Sequence, residues 1–207
     1  MEATRELVEL GHLRLEVEHR FSDVDFSPLL ILSQPHPEYA GSMDNKVIEL
    51  VFRKACEKPW SVIRYNMRGV GRSEGTFDQG KGESEDLEAL IDWAKTRIHV
   101  QKSSLRLLGY SFGSWVSARV NARRSDVDEL FLIAPPVSLY AFPTLPNPDH
   151  VYVVAAERDE LIPISAIEHF CIQQNISHVE KVSGANHFFV GKTMGMMKQL
   201  EKFLFMH

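Results

Sequence analysis

Gly109-Tyr110-Ser111-Phe112-Gly113, preceded directly by the apolar run Leu105-Arg106-Leu107-Leu108, decides the fold of this chain. A serine between two glycines, at the end of a strand and the start of a helix, is the pattern of a nucleophile elbow. That turn is so tight that only glycine fits on either side. An ordinary strand-to-helix turn uses similar residues, so the pentapeptide gains its weight from two residues further along the chain. Asp159 and then His187 each come just after an apolar, strand-like run. Serine, acid and histidine in that order predict a serine hydrolase.

From Pro28 onward, short apolar runs alternate with amphipathic stretches. Leu29 to Leu32, Val62 to Tyr65, Leu105 to Leu108, Leu130 to Ile133, Val151 to Ala155 and His178 to Val182 are the expected strands. Met43 to Cys56, Glu83 to Arg97, Phe112 to Ala122, Ile164 to Gln173 and Thr193 to Phe205 are the expected helices. The alternation predicts an α/β architecture, a mainly parallel sheet with helices on both faces. Ahead of it, Leu7 to Leu10 and Leu13 to Val17 flank Gly11-His12 and read as a short antiparallel hairpin. Val47, Leu50, Val51 and Cys56 recur at helical spacing, as do Leu87, Leu90, Ile91 and Ala94; these are core faces. The Met-rich C-terminal helix reads the same way. The connection from Pro135 to Val151 is loop-sized and leaves no room for a lid.

At 207 residues the chain is expected to be one domain, residues 1–207, with a core that requires no disulfide or metal. A formal charge of −5 and the absence of a dense basic run argue against nucleic acid as a partner. The N-terminal segment is charged and the apolar runs are strand-sized, so neither a secretory signal nor a membrane span is expected, and the protein should be cytoplasmic. Cys56 and Cys171 fall in different predicted helices and read as packing residues. No paired-His or Cys-x-x-Cys spacing suggests a metal. Gly75 to Gly82 nearly spells a phosphate-binding loop, but Gly82 stands where a Ser or Thr would hold magnesium, and Gly69-x-Gly71 lacks the third glycine of a dinucleotide site. No cofactor is expected, and nothing in the pattern specifies an oligomeric state.

Five local patterns in order carry a resemblance. They are Gln34-Pro35-His36-Pro37 with Gly41-Ser42-Met43-Asp44-Asn45-Lys46, Arg68-Gly69-Val70-Gly71-Arg72-Ser73, the serine elbow, Glu157-Arg158-Asp159-Glu160-Leu161-Ile162-Pro163, and Gly184-Ala185-Asn186-His187. Over nearly its whole length the chain resembles the α/β-hydrolase superfamily, in particular its small cap-less bacterial members related to dienelactone hydrolases and serine esterases. The resemblance implies a mostly parallel sheet without a cap and a Ser-His-Asp triad.

Chemistry calls for these residue types independently. A serine hydroxyl attacks a carbonyl only if a base accepts its proton, and a loop-borne histidine does this and then protonates the leaving group. His187 is the expected base. His99, His150, His169, His178 and His207 fall at element ends or on surfaces, and His12 and His19 belong to the hairpin. His36 competes, placed near the oxyanion loop. Asp159 is the expected acid by its similarity to the family's acid loop; Glu157 and Glu160 read as solvated charges. Attack creates an oxyanion, and losing one donor to it typically costs about 10²- to 10³-fold in turnover. The N–H of Phe112 is the expected first donor. Pro35 and Pro37 have no N–H, so the second must come from His36, Glu38 or Tyr39. Matching His36-Pro37 to the family's His-Gly favours Glu38, with Tyr39 close behind.

The expectation is therefore a carboxylesterase-like hydrolase acting on a small-molecule ester, or less readily an amide or thioester, through an acyl-enzyme. The alternatives are a non-catalytic binding member of the fold and an acyltransferase using the same triad. His36 and Tyr110 are expected beside the substrate. Tyr110, Phe112, Tyr140, Phe142, Phe188 and Phe189 are acyl-pocket candidates, about half of which ordinary packing would claim.

Overall fold

The computed structural model describes residues 2–98 and 103–205; His99 and His207 lie outside the described residues. One sheet has the strand order β1-β2-β4-β3-β5-β6-β7-β8. Its strands are β1 (Thr4–Glu9), β2 (Arg14–Arg20), β3 (Leu29–Ser33), β4 (Ser61–Tyr65), β5 (Leu105–Tyr110), β6 (Glu129–Ile133), β7 (Val151–Ala156) and β8 (His178–Val182). The hairpin β1–β2 joins β4 antiparallel, and every pairing from β4 to β8 is parallel. The described helices are α1 (Lys46–Cys56), α2 (Lys81–Lys95), α3 (Phe112–Asn121), α4 (Ile164–Gln174) and α5 (Thr193–Leu204). This is the α/β architecture the sequence predicts, with an N-terminal antiparallel hairpin and no lid among the described residues.

Because side chains alternate across a strand, each buried strand feeds two cores. Ile31, Leu107, Leu132 and Val153 pack with Leu87, Leu90, Val116 and Phe170, on the side of α2, α3 and α4. Leu32, Leu108, Phe131 and Val154 pack with Val51, Phe52, Met197 and Leu200, on the side of α1 and α5. Met197 and Leu200 of the Met-rich helix are buried here as core residues. The register pairs Ser33 with Gly109, which sets the loop after β3 beside the turn after β5.

The hairpin runs further than its apolar pattern suggests because polar residues complete it. Glu16 is buried and accepts from Asn66 Nδ2 at 2.7 Å and the Arg72 N–H at 3.0 Å. His19 pairs with Glu6 at 2.8 Å and stacks on Phe21. The glycine-rich stretch ahead of α2 serves as its cap. The Glu83 carboxylate, fully buried, accepts the N–H groups of Asp78 and Gly80 at 2.8 and 2.7 Å. Arg68 forks onto buried Asp86 with two 2.7 Å bonds, a bracing role. The segment after β6 is pinned down by Trp115 Nε1 donating to the Ala141 carbonyl at 2.9 Å and by Gln174, which accepts from the Leu145 N–H and donates to the Pro143 carbonyl. No helix among the described residues is long and apolar enough to cross a membrane. Cys56 and Cys171 are free thiols, and burial pushes the Cys171 pKa up to about 12.

Candidate active site

Ser111 joins β5 to α3 with φ 51° and ψ −120°, a conformation that L-residues avoid and that marks strain held in place by the surrounding structure. Its glycine neighbours are fixed by space. A Cβ on Gly109 would lie 2.2 Å from the Gly113 carbonyl oxygen, and one on Gly113 would lie 2.3 and 2.4 Å from the carbonyl oxygens of Ser33 and Gln34. The chain crosses itself so closely here that only glycine fits, and the turn lifts the serine hydroxyl above the sheet. Ala40, Ala134 and Phe189, in neighbouring loops, also have positive φ.

Ser111 Oγ lies 2.9 Å from His187 Nε2, and His187 Nδ1 lies 2.7 Å from Asp159 Oδ2. The carboxylate holds the imidazole proton on Nδ1, which leaves Nε2 to accept from the serine hydroxyl. The other Asp159 oxygen accepts the N–H groups of Leu161 and Ile162 at 2.9 and 2.8 Å, so the acid is held from both sides. His187 is buried, 3% exposed. Tyr110, whose phenol burial keeps neutral, donates to the His187 carbonyl at 2.9 Å.

Two acidic neighbours, exposed to solvent as expected, also hold the histidine loop. Glu160 accepts the N–H of His187 at 3.0 Å, and Glu157 accepts from the Gly184 N–H at 2.7 Å and the Ser183 hydroxyl at 3.0 Å. Their acceptor role depends on a loop more than twenty residues downstream, and no local spacing signals it. Gln34 stands out in the sequence only as part of a motif. It is fully buried, accepts the Met67 N–H at 3.1 Å and donates to the Gly41 carbonyl at 2.9 Å, which ties the loop after β3 to the end of β4.

In the loop from Gln34 to Gly41 two of the three expected second donors, Glu38 and Tyr39, have N–H groups that already meet acceptors. Residues Pro37–Tyr39 form a short 3-10 turn with His36 as its cap. The Glu38 N–H donates to His36 Nδ1 at 3.2 Å, and the Tyr39 N–H to the His36 carbonyl, also at 3.2 Å. Both favoured groups are consumed inside the turn. The backbone N–H groups of His36 and of Phe112, the first residue of α3, meet no acceptor among the described residues. The His36 ring packs against Tyr39, Phe77 and Phe112, and burial lowers its pKa, which favours the neutral imidazole.

A cavity of about 550 Å³ opens over Ser111 and His187. Pro35, His36, Tyr39, Tyr110, Leu139 and Phe188 contribute to its wall, and no Lys, Arg, Asp or Glu lines it among the described residues. Tyr39, Leu139, Leu161 and Phe188 are exposed apolar residues at this mouth. Of the six aromatic candidates, Tyr110 and Phe188 line the cavity. Phe112 and Phe189 are buried in the two cores, Tyr140 stacks on Trp115 and Phe142 packs on Phe170. No cluster of His, Cys, Asp or Glu suited to a metal occurs among the described residues.

Comparison with known proteins gives this geometry a family. The alpha/beta hydrolase fold model matches residues 39–151. The uncharacterised protein RP471 of Rickettsia prowazekii is 30% identical over 201 residues, spanning 92% of this chain and 84% of its own length. The crystal structure of ATU1826 from Agrobacterium tumefaciens, a protein of unknown function grouped with the alpha/beta hydrolases, superposes with a TM-score of 0.91 at 28% identity, covering 97% of this chain and 94% of that one. That of XC6422 from Xanthomonas campestris, described as an a/b serine hydrolase without lid, gives 0.88 at 27% identity, covering 99% and 94%. The chain belongs to the α/β-hydrolase fold family and is a cap-less member of it.

Proposed function

We propose that this protein is a serine hydrolase that cleaves small, uncharged carboxylic esters through an acyl-enzyme. The observation that carries this reading is the continuous hydrogen-bonded chain from Ser111 through His187 to Asp159, set on a strained turn at the floor of an open cavity. Ser111 Oγ attacks the ester carbonyl carbon while His187 Nε2 takes the hydroxyl proton. Negative charge gathers on the former carbonyl oxygen, where the N–H groups of Phe112 and His36 are both free to donate. The C–O bond to the alcohol breaks as His187 returns the proton to the leaving oxygen. Water then attacks the acyl-serine with the same base and releases the acid. Asp159 holds the histidine in its working tautomer and offsets the positive charge it carries between the steps.

The apolar, uncharged wall supports a neutral substrate, since a carboxylate or phosphate buried there would lack a cation. The open mouth without a lid supports a preference for short acyl groups. Hydrolysis of 4-nitrophenyl acetate, butyrate, octanoate and palmitate by the wild type and Ser111→Ala tests both points. Turnover that requires Ser111 and falls at long chain length is expected. An inert wild type would overturn the enzymatic reading, and an optimum at palmitate would overturn the short-chain one.

A further inference from the structure

Asn45 belongs to a motif that the triad does not use, yet it lines the same cavity as Ser111 and His187. Its backbone is firmly held. Just ahead of it, Met43 donates its N–H to Asn66 Oδ1 at 2.9 Å and accepts from Arg64 Nη1 at 2.9 Å, both through side chains that are themselves buried. The Asn45 N–H bonds to the Ser42 carbonyl at 3.1 Å. Asn45 caps α1, and its Oδ1 accepts the Val47 N–H at 2.9 Å. That bond settles which way the amide faces, because the reversed orientation would press an NH₂ group against the Val47 N–H. The Nδ2 group, turned away from the helix, meets no acceptor among the described residues.

A donor with fixed direction in a mostly apolar, uncharged wall discriminates between substrates. We propose that Asn45 is a specificity-determining residue whose Nδ2 donates to an uncharged oxygen of the substrate remote from the reacting carbonyl. The favoured esters then carry an ether, hydroxyl or second carbonyl oxygen in addition to the scissile ester. This inference rests on the hydrolase reading and narrows its substrate class. A donor left without an acceptor in an apolar pocket disfavours a plain alkyl chain, and the discrimination expected from one neutral hydrogen bond is about 3- to 10-fold.

The N-cap role makes a clean test available, since Asp and Ser cap as well as Asn and keep the helix start intact, whereas both remove the amide donor. Wild type, Asn45→Asp and Asn45→Ser are compared on 4-nitrophenyl hexanoate and on its analogues in which each chain methylene beyond the one attached to the carbonyl is in turn replaced by an ether oxygen. A parallel set of butyrate esters carries the ether oxygen in the alcohol chain and is followed by proton release. The expected result is at least one position at which the wild type prefers the oxygen analogue and both variants lose about 3- to 10-fold of that kcat/KM ratio, at matching thermal midpoints. Ratios that are the same in all three proteins at every position overturn the role of Asn45. Fluorophosphonate labelling of the wild type at Ser111 keeps that failure distinct from failure of the hydrolase reading, which would remove labelling and turnover together.

Discussion

Around Gly109 and Gly113 an added methyl group would lie within 2.4 Å of backbone atoms, whereas in the adjacent loop from Gln34 to Gly41 only the closing Gly41 is held so tightly, 2.2 Å from the Pro35 carbonyl oxygen, and the residues before it take their shape from hydrogen bonds. The two sides supply the two proposed oxyanion donors, and they are specified differently. On the elbow side, lack of space dictates residue type, and the first N–H of α3 is free because every helix starts with unpaired donors. On the loop side, prolines remove two donors, and the 3-10 turn consumes two more. The N–H groups of His36 and Ala40 are left without an acceptor among the described residues, and that of His36 is the proposed donor. A turn enforced by sterics leaves its mark in the glycines, but a donor left over from a turn is found only by accounting for each N–H.

Substitutions at four positions would break or sharpen that contrast. The largest effect is expected at neither side but at the acid that orients the shared base. Asp159→Asn keeps shape but disturbs the His187 tautomer and should lower kcat about 10³- to 10⁴-fold, read by steady-state hydrolysis. On the loop side, His36 has φ −55° and ψ 124°, which proline adopts without strain. His36→Pro therefore deletes the N–H, while His36→Ala deletes only the side chain, and kcat of the proline variant should be lower by about 10²- to 10³-fold. Equal rates for the two would remove His36 as the donor. On the elbow side, Gly113→Ala should cost about 3 kcal/mol in a denaturation experiment, because the new methyl meets the carbonyls of Ser33 and Gln34 and not a movable side chain. A variant as stable as the wild type would show that the elbow has slack. The smallest effect is expected at Glu160: removing the acceptor of the His187 N–H in Glu160→Ala should lower kcat about tenfold, and Glu160→Gln, which keeps an acceptor, should restore most of it.

Most of the fold is legible in the sequence because β3 to β7 are buried on both faces and read as continuous apolar runs between glycine, proline and polar turns. The hairpin reads shorter than it is. Thr4, Arg5 and Glu6 of β1 are exposed and carry no apolar signal, and the far half of β2 is completed by polar residues with distant partners. The order of Ser111, Asp159 and His187 is legible because each follows a strand at the same edge of the sheet. The roles of Glu157 and Glu160 are not, since an exposed carboxylate that accepts backbone N–H groups of a remote loop has the same local sequence as an exposed one without such a partner. Motif alignment favours Glu38 and Tyr39 as donors, and only the turn's own hydrogen bonds show their N–H groups engaged.

The central claim is that Ser111 is an activated nucleophile, and covalent labelling measures activation without a known substrate. The folded wild type and Ser111→Ala are treated with a fluorophosphonate, and the modified peptide is located by mass spectrometry. The account predicts rapid, stoichiometric modification of Ser111 that is absent in the alanine variant. A folded wild type that is not modified, or is modified at another residue to the same extent in both proteins, would contradict it.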